Sequence, residues 1–218
     1  MEALLCDQVF LLVGDVVCVS VAGDVAELVC EFLEVCIHQL LCIRELYPPA
    51  IFERRRHFNV PVQWVRHPDL REYIHSAVTN LQPWIQQGAV EKIAVLFADG
   101  NQIPVEKFIF KLCLKQVTGA GLPTSHLEFA LRGFLLKLCV NDSALSPLPP
   151  DCSWELVAYM KSISADTVSK GQFWIPASGN EDPNQSSIII TIKSMRSSCL
   201  DMQLYVEHPA EKPQKKMM

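Results

Sequence analysis

Apolar residues recur every three or four positions at Val25, Leu28, Val29, Phe32, Val35, Cys36, Leu40, Ile43 and Leu46, the mark of a long helix with one buried face. Tyr47-Pro48-Pro49 should end it, because proline has no N–H to donate and pushes the preceding residue away from helical angles. A second helix is expected from His67-Pro68-Asp69, with proline and an acid in its first turn. Its stripe is Leu70, Tyr73, Ile74, Ala77, Val78, Leu81 and Ile85, and Gly88 is its stop. The period then drops to two. Lys92 to Phe97 and Val105 to Leu112 read as a hairpin around Asp99-Gly100-Asn101, a turn that needs residues tolerant of positive φ. Ser125 and Glu128 offer a capping box ahead of a third helix, striped by Leu127, Leu131, Phe134, Leu135 and Leu138 and ending near Asn141-Asp142.

Beyond the proline-rich Ser146 to Pro150 loop, Cys152 to Met160 reads as a strand in which Trp154, Leu156 and Ala158 alternate with their neighbours. Ser162 to Gln172 is polar, Phe173-Trp174-Ile175 is a short apolar island, and Ala177 to Ser187 is polar again. Two more strands are expected at Ile188 to Ile192 and Met202 to Val206, and the charged tail from Glu211 is not expected to be ordered. The fold class is therefore α+β, with strands and loops laid over a three-helix core. That C-terminal third makes fewer buried contacts per residue and is the part most able to rearrange.

The first 22 residues are apolar enough to suggest a signal peptide, but Glu2, Asp7 and Asp15 replace the basic start. These acids and Gly14 also interrupt any span long enough for a bilayer, so the segment is expected to be an extension, or an added strand or helix, on a domain beginning at residue 23. The balance of 19 basic against 24 acidic residues, −5, argues against a long phosphate-neutralising footprint and hence against direct nucleic-acid binding. The run Arg54-Arg55-Arg56-His57 is a secondary candidate for touching an acidic partner. The nine cysteines, an odd number with no C-x-x-C pair, form neither a zinc site nor a disulfide framework, and most sit in apolar runs as reduced thiols do. A cysteine hydrolase would need a low-pKa thiol beside a base; Cys36 and His38 are two residues apart on a helix and point in different directions. With no G-x-S-x-G elbow, phosphate-cradling glycine loop or carboxylate dyad, catalysis is not expected, and neither is a metal or cofactor.

Eight fragments, in order, carry a family resemblance. Glu31-Phe32-Leu33-Glu34-Val35, Tyr47-Pro48, Ile51-Phe52, Asn59-Val60-Pro61-Val62-Gln63, His67-Pro68, Tyr73-Ile74, Pro104-Val105-Glu106-Lys107-Phe108 and Met202-Gln203-Leu204-Tyr205-Val206-Glu207 resemble the HORMA-domain accessory subunits of DNA polymerase zeta. The resemblance implies a HORMA domain over residues 23–207: three helices on a twisted, mainly antiparallel sheet, with a safety belt over about 160–207 and a disordered tail at 208–218. It implies a non-catalytic adaptor that clamps a proline-containing peptide under the belt, by backbone hydrogen bonds and a few side-chain pockets. The implied partners are a peptide of the polymerase zeta catalytic subunit, the C-terminal domain of a recruiting Y-family translesion polymerase, and a shieldin subunit peptide, the last linking the protein to double-strand break repair. The implied location is the nucleus, with some in the cytoplasm. The alternative is a checkpoint-type HORMA adaptor that sequesters an activator of the anaphase-promoting complex.

The same resemblance implies the site residues. Tyr73 and Trp174 match positions that hold the partner peptide; Trp174 also offers the large rigid face that often dominates binding energy. Ile189, Gln203 and Tyr205 match the docking surface of the second polymerase, and strand alternation should separate Gln203 and Tyr205 from Met202, Leu204 and Val206. The family's proline near this strand is Thr191 here. Arg54 and Arg132, both expected to be exposed, match a homodimer surface, where Arg54 replaces a lysine.

Overall fold

In the computed structural model the chain is described over residues 3–115, 124–140, 145–161, 174 and 187–209, as backbone alone at 3–22 and 124. Helix α1 spans Ala3–Ile43, so residues 3–22 are helical backbone continuous with the expected first helix. Its buried face carries Val25, Val29, Phe32, Cys36 and Leu40 as the spacing requires. The helix stops earlier than expected. Glu45 takes φ 51, its N–H bonds the Cys42 carbonyl at 3.0 Å, and the Leu46 N–H bonds the Leu41 carbonyl at 3.3 Å. This is a Schellman cap, and it folds the half-buried Leu46 back onto the core instead of continuing the helical stripe to Tyr47. A glutamate in left-handed geometry is strained there, so Glu45→Gly should raise stability by about 0.5–1 kcal/mol, read from the midpoint of urea unfolding.

Between α1 and the second helix lies a hairpin, β1 (Phe52–His57) and β2 (Val60–Val65), which sequence reading did not foresee. Its two-residue turn, Phe58 and Asn59, has φ 47 and 58, as a primed turn needs. Phe58 tolerates this because its ring lies edge-on to buried Phe32, with centroids 6.1 Å apart. Two side chains of α1 seat the hairpin: Gln39 Oε1 accepts the Gln63 N–H at 2.7 Å, and His38 Nδ1 accepts the Val65 N–H at 3.3 Å. Burial pushes the His38 pKa down to about 3, so the ring stays neutral and able to accept. Trp64 lies with its ring centroid 3.8 Å from that of His38.

Helix α2 (Pro68–Gln86) and helix α3 (Thr124–Val140) bury the expected stripes, Ile74, Ala77, Val78, Leu81 and Ile85 on the first and Leu127, Leu131, Phe134, Leu135 and Leu138 on the second. Gly88, at φ 67, caps α2. Ser125 lies inside the first turn of α3 and so cannot cap from ahead of it, as the capping box required. The expected stop at Asn141-Asp142 lies outside the described residues.

The main sheet is antiparallel throughout its described pairs and ordered β5-β3-β4-β7-β6, from β3 (Val90–Ala98), β4 (Pro104–Leu114), β5 (Ser153–Met160), β6 (Ser187–Arg196) and β7 (Leu200–Pro209). The β3–β4 turn forms where expected, but its left-handed residue is Gln102, at φ 63. Asp99 makes the turn: its carboxylate accepts the N–H groups of Asn101 and Ile103, both at 2.9 Å. β6 and β7 outrun the expected strands, and β7 reaches Pro209, two residues past the boundary expected at 207. The residues from 210 onward, and the polar stretches flanking Trp174, lie outside the described residues.

The helices cover one face of this sheet, where Phe32 of α1 meets Phe110 of β4 and Phe134 of α3 edge-on at 6.2 and 6.1 Å. A buried ion pair crosses this layer. Arg44, just past α1, holds Glu106 of β4 with Nε to Oε1 at 2.7 Å, and both side chains are at most 3% exposed. The same guanidinium donates to the Ser146 carbonyl at 2.6 Å, and His208 of β7 approaches the other glutamate oxygen at 3.7 Å. Helix end, central strand, proline-rich loop and belt strand thus share one set of charges.

Candidate functional site: an open strand edge flanked by aromatic pairs

Among the described residues β5 pairs only with β3, leaving its outer edge open. An open edge offers a row of backbone donors and acceptors to an extended peptide. Beside it, Tyr73 of α2 stands 45% exposed and meets Trp154 of β5 edge-on at 5.7 Å. Trp154 is fixed in turn by its indole N–H, which donates to the Tyr47 hydroxyl at 3.1 Å. Tyr73 was expected to fall on the buried stripe of its helix; it lies at the margin of that stripe, where burial, the nearby Glu155 and Tyr47 raise its hydroxyl pKa.

Trp84 lies eleven residues further along α2, three turns on and nearly the same face. Its ring meets that of Trp174 at 6.3 Å and 64°, and Trp174 is half-buried against the core with its indole N–H enclosed and without a partner among the described residues. The Tyr73 and Trp84 backbones are roughly 16 Å apart along the helix axis. An extended chain advances roughly 3.3 Å per residue, so the two aromatic pairs bracket about five residues of peptide. Tyr73 and Trp174 therefore mark two ends of one track. Sequence reading missed the other three members. The eleven-residue spacing of Tyr73 and Trp84 on one helix was the available signal, whereas Tyr47 read as a helix stop and Trp154 as one alternating position of a strand.

A second surface lies on the uncovered face of the sheet. Along β7, Met202, Leu204 and Val206 are buried while Gln203 is exposed and Tyr205 half-buried, the alternation expected. Register sets Tyr205 between Ile109 and Thr191, Gln203 between Lys111 and Ser194, and Glu207 between Lys107 and Ile189. Ile189 is 58% exposed, so it shares this face with Gln203 and Tyr205. Directly opposite residues of neighbouring strands point the same way. Lys107 and Lys111 therefore join the surface; only the pairing of β4 with β7 reveals them. Thr191 sits at a register shift, after which Ile192 turns inward at 9% exposure.

Arg54 is exposed on β1 and Arg132 lies on α3, but Arg132 is half-buried rather than exposed, because α3 packs that flank toward the domain. The basic run is divided by strand alternation. Arg54 and Arg56 face outward opposite Gln63 and Pro61, whereas Arg55 and His57 turn to Trp64, the guanidinium 5.3 Å and the imidazole 4.7 Å from its ring. It is not one continuous basic face. Among the thiols, burial pushes Cys30 up to about 12 and Cys36 well above the usual value, and raises Cys139 and Cys152. This is the reverse of nucleophile activation.

No protein-family model matches the chain. It is 44% identical over 190 residues to the DNA polymerase zeta processivity subunit of Arabidopsis thaliana, covering 87% of this chain and 88% of that one. It is 37% identical over 196 residues to the mitotic spindle assembly checkpoint protein MAD2B of Homo sapiens, covering 86% and 92%. Its fold matches a chain in the crystal structure of the mitotic checkpoint complex with a TM-score of 0.71 at 16% identity, covering 85% of this chain and 99% of that one. It also matches C. elegans HTP-2 bound to the HIM-3 closure motif, with a TM-score of 0.65 at 11% identity, covering 85% and 90%.

Proposed function

We propose that this chain, which belongs to the HORMA-domain family of DNA polymerase zeta processivity subunits and MAD2B proteins, is a non-catalytic adaptor that clamps a proline-containing peptide of the polymerase zeta catalytic subunit. The observation that carries the reading is the open edge of β5 lying between the Tyr73–Trp154 and Trp84–Trp174 pairs. Backbone bonds to the edge supply affinity in any sequence, and aromatic pockets that suit proline rings select among sequences. A structural relative, HTP-2, is seen with a closure motif bound, which supports a peptide as the occupant.

The outer sheet face, with Ile189, Gln203 and Tyr205, is the docking site for the C-terminal domain of a recruiting Y-family translesion polymerase, so the chain bridges two polymerases. By the same clamp it takes a shieldin subunit peptide, and Arg54 and Arg132 belong to a homodimer surface. It works in the nucleus, with a cytoplasmic pool. A checkpoint role, in which the clamp sequesters an activator of the anaphase-promoting complex, is the second reading, favoured by the name of the MAD2B relatives.

A pull-down from nuclear extract with wild type and Tyr205→Ala, read by mass spectrometry, tests the scheme. Wild type should recover both polymerases, and the variant should keep the catalytic subunit while its affinity for the recruiting polymerase falls by about 2 kcal/mol, roughly thirty-fold. Recovery of an activator of the anaphase-promoting complex in place of the catalytic subunit would establish the second reading instead.

A further inference from the structure

A cavity of about 580 Å³ at the end of α1 belongs to neither surface described above. Its walls include the half-buried Ile43, Leu46, Leu145 and Leu148, and Glu45 and Asp151 line it at exposed positions. The site is electronegative. Helix α1 ends at Ile43, so the negative end of its dipole adds to the two carboxylates. Arg44 on the same wall already faces Glu106 at 2.7 Å, and burial holds His208 below the usual histidine range. The cavity therefore suits a ligand that is cationic at its tip and apolar along its stem.

The chain carries such a segment. β7 stops at Pro209, and the next nine residues hold Lys212, Lys215 and Lys216 against the single acid Glu211, with Met217 and Met218 beyond them. They leave the sheet at the end where the cavity lies. Ser153 of β5 pairs with Ala98, Ala98 pairs with Pro104 of β4, and His208 of β7 approaches Glu106 of β4 at 3.7 Å. The starts of β5 and β4 and the end of β7 thus share one border, on which Asp151 directly precedes β5. From β7 to β5 is three strand spacings, roughly 14 Å. An extended chain covers that span in about five residues, which brings Lys215 and its successors to the cavity.

We propose that this cavity takes the chain's own segment Lys215-Lys216-Met217-Met218, with the lysine ammonium groups on Glu45 and Asp151 and the methionines against Leu145 and Leu148. Lysine stems and thioethers adapt to an irregular apolar wall. Exposed ion pairs contribute little each and are screened by salt, so occupancy falls as salt rises. Docked, the segment straps the end of β7 across the sheet to the start of β5 and to the end of α1.

The test labels the methionine methyl groups of the full chain with carbon-13 and assigns Met217 and Met218 from their single leucine variants. At low salt both resonances should lie away from their positions in a synthetic peptide of residues 209–218, with nuclear Overhauser contacts to Leu145 or Leu148. The displacement should fall by about half or more in the double variant Glu45→Gln with Asp151→Asn, and in about 0.5 M sodium chloride. Met202, fully buried in the core, should not move and so reports that the fold is intact. Resonances at the peptide's positions in the full chain would overturn the proposal, as would displaced resonances that ignore both the acid changes and salt. Displacements lost on dilution would give the cavity to the tail of a second chain and overturn docking within one.

Discussion

Trp174→Ala weakens the belt peptide by roughly 2–4 kcal/mol, about thirty-fold to nearly a thousand-fold, while the folded chain melts at nearly the same temperature. The size comes from what the indole does twice over. In the proposed clamp its ring closes the Trp84 end of the peptide track, and its enclosed N–H, which has no partner among the described residues, bonds a peptide carbonyl. Truncation removes a rigid wall and a hydrogen-bond donor together. Titration calorimetry with a proline-containing peptide of the catalytic subunit measures the loss. Docking of the second polymerase, read on the same sample, stays intact because Tyr205 lies three strands from β5 in the sheet order. Equal losses at both surfaces would mean a misfolded belt, and no loss at either would make Trp174 a plain anchor and remove the clamp from this edge.

Glu106→Gln costs about 3–5 kcal/mol of stability, because it removes the carboxylate charge from a buried pair with Arg44. For a chain of this length that lowers the melting temperature by on the order of 10 °C, measurable by calorimetry. The paired change Arg44→Met with Glu106→Leu recovers most of the loss, since an apolar pair of similar volume needs no desolvation of charge. A Glu106→Gln protein within about 1 kcal/mol of wild type would show that the pair is wetter than its burial implies.

Much of the fold was legible because it rests on period. The stripes of α2 and α3 and the alternation along β7 come from burying one face, and a buried face leaves a regular spacing. The β1–β2 hairpin leaves none. Three arginines occupy β1, a proline sits in β2, and Phe58-Asn59 carries no glycine, so the hairpin exists through its docking to His38 and Gln39 of α1. The end of α1 was misplaced for a similar reason: Glu45 adopts a left-handed angle without the glycine that would announce it. At the site, Tyr73 and Trp174 were reachable through family resemblance. Their partners Trp154 and Trp84 are joined to them only by tertiary structure, and the lysines beside Gln203 and Tyr205 only by strand pairing.

The sheet order has a mechanical outcome. β5 ends at Met160 on one border of the sheet and β6 starts at Ser187 on the other, four strand spacings or roughly 19 Å away. The chain joining them passes Trp174 at the flank of α2. In the proposed clamp the covalent connection between them and the five hydrogen-bonded strands form one closed circuit, and a peptide lying along β5 is an axle through it. Where the peptide is the middle of a large chain, the folded parts on either side act as stoppers. In that reading such a partner leaves only when the circuit is opened, for which the seam to peel is the eight residues of β4 that pair with β7. Its lifetime is then the lifetime of that seam, and an excess of free competing peptide does not shorten it.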